Sequence, residues 1–493
     1  MAGVMVNDDF MRFVNSKYHD DYQFGEVTER DIREYIRKFK DTTVTDFVFN
    51  VNAQMSYSPS RVWMTAAEKY ETKEEMGHSV NYTNSYYKVW YDIFVLQKLD
   101  MYSIWIEELN KIGVHPWISF RMNDTHDNHK EYGGIRRSPY FKDGRRNGKV
   151  ITSHREKTGY FDDCLDYKHE DVRNYHLAYI EEQLSQYDVY GVEMDYMREP
   201  FLCSPGEEGE LRIILTEFFG KVKHIIKKAE QKYGHPIKFS IRCFRDIQNC
   251  YDAGLDIFAL VRNGTFDLVI PTPRWRTCDS DIPLYLWRKI FPEIELAAGL
   301  DNLYVSSQRK DIALNHETVA ALSMQYLSNG ADYIYLFNYT YLEDFTVYKY
   351  LGNIDELIKK ERRHIVSFQD VGYLYSTLYL PLPLKLQSPY SYLRIQTGRI
   401  DEKSKVVLRL GADKRLKNVY VNSKKCEFLG ETKIESQYFD GKIQEFLISR
   451  FNQDEQIVEV NCSEGAILNY AEIHICVDLM KTLNIRRKKN ENK

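Results

Sequence analysis

The sequence predicts an α/β protein, a (β/α)8 barrel of the TIM type followed by a C-terminal antiparallel β-sandwich domain. From Asp31 to about residue 345, eight short apolar runs ending in polar residues are separated by helix-like segments. Strands that alternate with helices imply βαβ units and a parallel sheet, and eight of them suggest closure into a barrel. No G-x-G-x-x-G follows the first run, which argues against an open doubly wound sheet. After about residue 365 the texture changes to short alternating runs broken by Gly, Asn and Asp, the pattern of antiparallel strands. The expected division is a barrel over 1–365, a β-sandwich over 366–480 and a charged tail over 481–493.

In order, RDIREYIRKFK at 30–40 places Ile32, Tyr35, Ile36 and Phe39 at helical spacing, and TDFVFNVN at 45–52 reads as the first strand. A helix over about 92–112 ends at Gly113 before the strand VHPWISFRMND at 114–124, and a weaker strand is expected at 160–167. The helix at about 171–186 leads into YDVYGVEMDYMREP at 187–200. In a strand successive side chains alternate, so Glu193 and Asp195 share one face while Val192, Met194 and Tyr196 share the other. Two carboxylates thus stand near the C-terminal end of the fourth strand, the end where parallel α/β folds assemble active sites. Helices over about 208–233, stopped by Gly234, and 252–263 separate PIKFSIRCF at 236–244 from FDLVIPTPRW at 266–275. IELAAGLDN at 294–302 and ADYIYLFNY at 331–339 complete the eight. PLPLKLQSP at 381–389 is a plausible junction, and VVLRL, NVYVN and EFLIS carry the β domain.

Composition narrows the partners. With 67 basic and 72 acidic residues and a net charge of -5 there is no electrostatic case for nucleic acid. No apolar segment is long enough to span a membrane. The N-terminus lacks the charged and apolar regions of a secretory signal, and eight cysteines are scattered without CxxC spacing, so reduced thiols and a cytoplasmic location are expected. The 38 Tyr and 25 Phe suit buried cores and equally suit clefts that stack sugar rings. A β domain of this kind often mediates a dimer, so a homodimer is a compatible assembly.

Strand ends carry the chemistry. The second strand ends in Arg121, Asn123, Asp124, His126 and His129; the fourth in Glu193, Asp195 and Arg198; the fifth in Arg242, Arg245 and Asp246. The sixth ends in Arg274, Trp275 and Arg276, the seventh in Asp301 and Asn302, the eighth in Asn338 and Tyr339. Arginines from several strands facing one mouth favour an anionic substrate, because the guanidinium fork matches a carboxylate or phosphate. With no Gly-rich loop to cradle a phosphate, a carboxylated sugar fits best, while a purely structural role for the same arginines, neutralising Glu193, Asp195 and Asp301, stays open. His126, between Asp124 and Asp127, is a candidate proton donor, since both acids favour the imidazolium. His126, His129 and Asp124 form only a weak metal-ligand pattern, and neither a metal nor another cofactor is expected.

FRMND followed by His126, LDYKHEDVRNYHLAYIEE at 165–182, YDVYGVEMDYMREP and FDLVIPTPRW together resemble a bacterial barrel group similar to the family-10-like glycosyl hydrolases, and within it the exo-sialidases of glycoside hydrolase family 156. The resemblance runs collinearly over about 5–345. It implies hydrolysis of a sialylated glycan or sialoside with inversion, His126 as general acid and Asp8 as general base, with Asp9 as the alternative. It implies further that Arg121, Arg198 and Asn338 hold the sugar carboxylate and its neighbours, leaving Glu193 and Asp195 as supports beside the strand-end arginines Arg242 and Arg274. The string VNDDF departs from the family where a glycine is expected after the first aspartate. A carboxylate on the anomeric carbon repels an anionic nucleophile, which makes an imidazolium acid and an aspartate-activated water reasonable. Two alternatives stand beside this: a barrel glycosidase acting on uronic or neutral sugars through Glu193 or Asp195 with Asp301, and a non-catalytic carbohydrate-binding barrel.

Overall fold

A computed structural model of the chain describes residues 1–9, 11–71, 86–125, 140, 149, 164–273, 277–305, 311–337, 345–368, 381–387, 389–436, 439–461 and 465–477. Eight parallel strands close a barrel in sequence order: β1 Gly3–Asp8, β2 Asp46–Asn50, β3 His115–Arg121, β4 Gly191–Asp195, β5 Lys238–Phe244, β6 Leu268–Thr272, β7 Glu295–Asp301 and β8 Tyr333–Phe337. The expected fold class holds, with one strand reassigned. The barrel begins with GVMVND at the extreme N-terminus, where Val4, Met5 and Val6 are all fully buried. A short run buried on both faces has no alternation to announce it.

The weak strand expected at 160–167 is not a barrel strand; its residues 160–163 lie outside the described set. Cys164–Tyr167 instead form a buried connection. Asn123 donates to the Leu165 carbonyl and accepts from its amide, and the Tyr167 hydroxyl donates to the Met122 carbonyl.

Helices follow the expected places with local differences. α1 spans Met11–Lys17 and α2 spans Glu29–Arg37, the latter opened by a Thr28–Asp31 capping box. The helix expected over 92–112 is divided: a π-helical turn spans Asp92–Leu96, and α3 spans Met101–Ile112, opened by Asp100, which accepts from the amides of Tyr102 and Ser103. α4 Glu170–Gln186 and α5 Glu208–Tyr233 match their patterns. The segment expected as one helix at 252–263 is interrupted at Gly254, which has φ +85°, and restarts behind an Asp256 cap.

Strand register sorts the side chains. Val48 lies beside Trp117 and Trp117 beside Gly191; Asn50, Ser119, Glu193 and Ser240 form the next row; Arg121, Asp195 and Arg242 form the row nearest the C-terminal ends. The alternate residues face the helices. Phe47 and Phe49 meet Trp105 of α3, Phe120 meets Tyr179 of α4, and Phe239 meets Phe219 of α5. Burying each such ring stabilises by about 1.5–3 kcal/mol, so the aromatic outer face holds the helices and leaves the inner face polar.

Contact density divides the chain into two units, one of Met5–Ile270 with Glu293–Glu295, the other of Met1–Val4, Pro271–Pro292 and Leu296–Lys493. The second contains α6, His316–Ser328, and the β domain. That domain comprises β9 Arg362–Ile365, β10 Leu384–Lys385, β11 Ser391–Gly398, β12 Lys405–Ala412, β13 Asn418–Val421, β14 Lys424–Lys425, β15 Glu427–Ser436, β16 Phe439–Ile448, β17 Asp454–Asn461 and β18 Ile467–Cys476. β9, β18, β12, β16 and β15 build one antiparallel sheet, with β10 added on β18; β11, β17, β13 and β14 build a second. Its first strand lies just ahead of the junction expected at 365. Within this unit α6 approaches β11 closely: a Cβ on Gly398, at φ +59°, would stand 2.7 Å from the Ser328 Oγ. Arg394 reinforces the unit by an ion pair of 2.7 Å to Asp281.

Candidate functional site at the strand ends

The row nearest the C-terminal ends of β3, β4 and β5 is built from charges that the barrel forces together. Asp195 accepts four hydrogen bonds: from Arg242 Nε at 2.9 Å, from Arg242 Nη2 at 3.2 Å, and from the amides of Met197 and Arg198 at 3.0 Å each. Its carboxylate therefore both holds Arg242 and fixes the turn that carries Arg198. One row deeper, Glu193 accepts from Ser119 Oγ at 2.6 Å, and Asn50 donates to the same hydroxyl. Both carboxylates are fully buried.

A second set joins β1 to β3. Arg121, with a side chain 1% exposed, donates through Nη2 to Asp9 at 2.8 Å and through Nη1 to Asp124 at 3.1 Å. Asp124 shares the same oxygen with Arg198 Nε at 3.6 Å, and Arg198 Nε lies 3.9 Å from Glu199. Burial alone would lower the Arg121 pKa, but the charges of Asp9, Asp124 and Asp195 outweigh it and raise it. Asn52, two residues beyond β2, fixes this arginine, accepting from its amide and donating to its carbonyl.

Asp8 and Asp9 part company. Asp8 lies beside Phe49 in the register, on the helix-facing side, where Tyr35 of α2 donates to it and Arg12 of α1 stands 4.0 Å away. Burial raises its pKa to about 6, against the lowering pull of Arg12 and Tyr35. Asp9, one residue on, turns toward Arg121 and keeps its side chain 23% exposed.

Asp9, Arg121, Asp124, Arg198 and Glu199 thus form one contiguous network, of which Asp9 and Arg198 reach solvent, at 23% and 7% side-chain exposure, while Arg12 and Asp8 form a separate pair on the helix-facing side. Of the site residues read from sequence, the structure brings together Asp8, Asp9, Arg121, Arg198, Glu193, Asp195 and Arg242. It pairs Arg242 with Asp195, one of the carboxylates the structural reading gave these arginines, and Arg121 instead with Asp9 and Asp124. Asp124, expected to support an imidazolium, is committed to two guanidiniums. Arg245 pairs with neighbouring Asp246 at 3.4 Å, and Asp246 caps a short helix. His126, His129, Arg274, Trp275, Arg276, Asn338 and Tyr339 lie outside the described residues. Sequence reasoning missed Arg12, Glu199 and the hydroxyl of Tyr35. Arg12, four residues after Asp8 and inside a helical run, was the one with a readable signal.

No protein-family model and no curated protein matches the chain. Among solved structures it is similar to the glycoside hydrolase domain of PgaB (BpsB) from Bordetella bronchiseptica, at TM-score 0.43 and 11% identity over 72% of this chain and 99% of that one. It is similar also to alpha-L-fucosidase isoenzyme 2 from Paenibacillus thiaminolyticus, at TM-score 0.42 and 9% identity over 94% of this chain and 100% of that one. A third is an Anoxybacillus alpha-amylase, at TM-score 0.40 and 10% identity over 94% and 98% of the two chains. These likenesses concern architecture.

Among the described residues no helix is long and apolar enough to cross a membrane, and the seven described cysteines that are free are all buried.

Proposed function

We propose that the chain is a glycoside hydrolase acting on an acidic sugar, and more narrowly an exo-sialidase that releases terminal sialic acid with inversion. The observation that carries this reading is the solvent-reaching part of the strand-end network: Asp9, held by buried Arg121, and Arg198, joined to the same Arg121 through Asp124. A guanidinium suits a substrate carboxylate, and a solvent-reaching carboxylate on the same network suits a water that must be deprotonated. The family resemblance of the sequence supports the same assignment.

In this reading Arg198 holds the sugar carboxylate. Asp9, rather than fully buried Asp8, takes the proton from the attacking water, because geometry comes before basicity in choosing a base. Arg121 positions Asp9, and Asp195 with Arg242 positions the turn of Arg198, so these three act through others. His126, two residues beyond Asp124, delivers the proton to the departing glycosidic oxygen as the carbon–oxygen bond breaks, and Asn338 and Arg274 extend the substrate contacts. Glu193 stays a support one row deeper in the barrel than Asp195.

Aryl sialoside, galactoside, glucoside and glucuronide are offered in parallel, with the product anomer followed by NMR in the first minutes. Release of sialic acid alone, in its β form from an α-linked substrate, is the expected result. Retention, or turnover of another glycoside only, assigns catalysis to a carboxylate pair including Glu193 or Asp195. No turnover of any of them, with a sugar still raising thermal stability, makes the barrel a binding module.

A further inference from the structure

The β domain gathers three side chains that nothing in the barrel's chemistry uses. His474 and Cys476 stand two apart on β18 and so share one face, and Glu361 directly precedes β9, whose first residue Arg362 lies opposite Ile475. One ligand atom from each of the three falls within 4.8 Å of the others. The Cys476 sulfur lies 3.6 Å from either His474 ring nitrogen, and the Glu361 Oε1 lies 2.6 Å from Nε2.

We propose that Glu361, His474 and Cys476 bind a thiophilic divalent metal ion of the zinc class, tying the start of β9 to the end of β18. Bonds of about 2.0 Å to nitrogen and 2.3 Å to sulfur at a tetrahedral angle set those two atoms about 3.5 Å apart. The observed 3.6 Å matches that separation, and because the sulfur is equally far from both nitrogens the His474 ring turns to aim one lone pair at the ion. The Glu361 oxygen is closer to the ring than two ligands of one ion stand, so an ion entering between them displaces that hydrogen bond. Glu361 can retreat, because its side chain is 54% exposed. A thiolate, an imidazole and a carboxylate select zinc or cobalt over magnesium or calcium, and water completes the fourth position.

Two nearby guanidiniums do not oppose the ion, since their charge is already met. Arg363 is paired with Glu472 at 2.6 Å, and Arg409 is paired with Glu472 and with Glu445 at 3.0 Å each. The site is independent of the glycosidase reading.

The test uses the full chain, stripped with a chelator and titrated with Co2+. One equivalent is expected to develop a near-ultraviolet thiolate-to-cobalt charge-transfer band with visible bands of a four-coordinate ion, both erased by added Zn2+. Cys476→Ser should remove the charge-transfer band, and Glu361→Gln, whose side chain is 54% exposed, should weaken binding by about tenfold or more. Zn2+ should raise the melting temperature of the unaltered chain and not that of Glu361→Gln. Absence of the band in the unaltered chain, or its persistence in Cys476→Ser, overturns the proposal. So does a Zn2+ effect on melting that is equal in both proteins.

Discussion

Arg242 and Asp195 sit side by side on adjacent barrel strands and meet through two hydrogen bonds, at 2.9 and 3.2 Å, with side chains 1% and 0% exposed. Taking both charges out of water costs several kcal/mol each, and only their pairing and the two backbone amides on Asp195 offset that. Removing one partner leaves the other buried alone. Arg242→Leu is therefore expected to destabilise the fold by roughly 3–5 kcal/mol in urea unfolding, whereas the joint Arg242→Leu, Asp195→Leu chain should recover part of the loss. A loss in the joint variant equal to the sum of the losses in Arg242→Leu and Asp195→Leu taken singly would show that the pair is not coupled.

Asp8 gives a pH dependence with a definite sign. Its folded pKa of about 6 lies above its ordinary 3.8, so the folded state binds the proton more tightly than the unfolded state. The contribution to stability is full below 3.8 and is lost as pH rises through about 6. Above that it is a fixed cost of about 3 kcal/mol, since each tenfold difference in proton affinity between the two states is worth about 1.4 kcal/mol. Asp8→Asn should match the unaltered chain in acid, lose this slope and be the more stable protein near neutrality. The measurement is urea unfolding across that window; a less stable Asp8→Asn at neutrality would show that the Asp8 charge is needed where it lies.

These relationships differ in how far the sequence exposes them. Alternation along YDVYGVEMDYM was enough to put Glu193 and Asp195 on the inner face, because period 2 is a local property. The strand ends were legible for the same reason, which is how Arg121, Arg198 and Arg242 were found. Partner choice was not legible: Asp195 and Arg242 lie 47 residues apart, and only the pairing of β4 with β5 in this register sets them side by side. The first strand was hidden because GVMVND is buried on both faces and shows no alternation. With it went the decisive distinction between Asp8 and Asp9, which depends on knowing that β1 ends at Asp8. The break before α3 was written in Asp100, whose capping role a longer apolar pattern concealed.

Gly191 is a position where close approach leaves no choice. A Cβ there would stand 2.3 Å from the Trp117 ring, and Trp117 cannot swing away freely because its Nε1 donates to Asp46 at 2.8 Å. Gly191→Ala should cost about 1–3 kcal/mol by overpacking the barrel interior. Adding Trp117→Leu should return part of that cost by opening space for the methyl group, although the smaller ring-free side chain forfeits burial of its own. Melting of the two chains checks it; an additive loss in the double variant would place the strain elsewhere.

The split between Asp9 and Asp8 makes the sharpest kinetic prediction. Asp9 reaches solvent and is oriented by Arg121, while Asp8 faces Tyr35 on the helix side. If Asp9 deprotonates the water, Asp9→Asn should lower kcat by on the order of 10²–10⁴-fold with KM little changed, because the amide still accepts from Arg121 but cannot take a proton. Asp8→Asn should retain most turnover and show its effect in stability instead. Arg198→Ala, which removes a charge-assisted contact to the substrate carboxylate, should raise KM by roughly 10- to 100-fold, corresponding to about 1.5–3 kcal/mol. The informative comparison is the pair of aspartates on one aryl sialoside. Loss of kcat in Asp8→Asn with turnover kept in Asp9→Asn would move the base to the buried carboxylate of higher pKa, and would require the α1–α2 side of the barrel to open for water during the reaction.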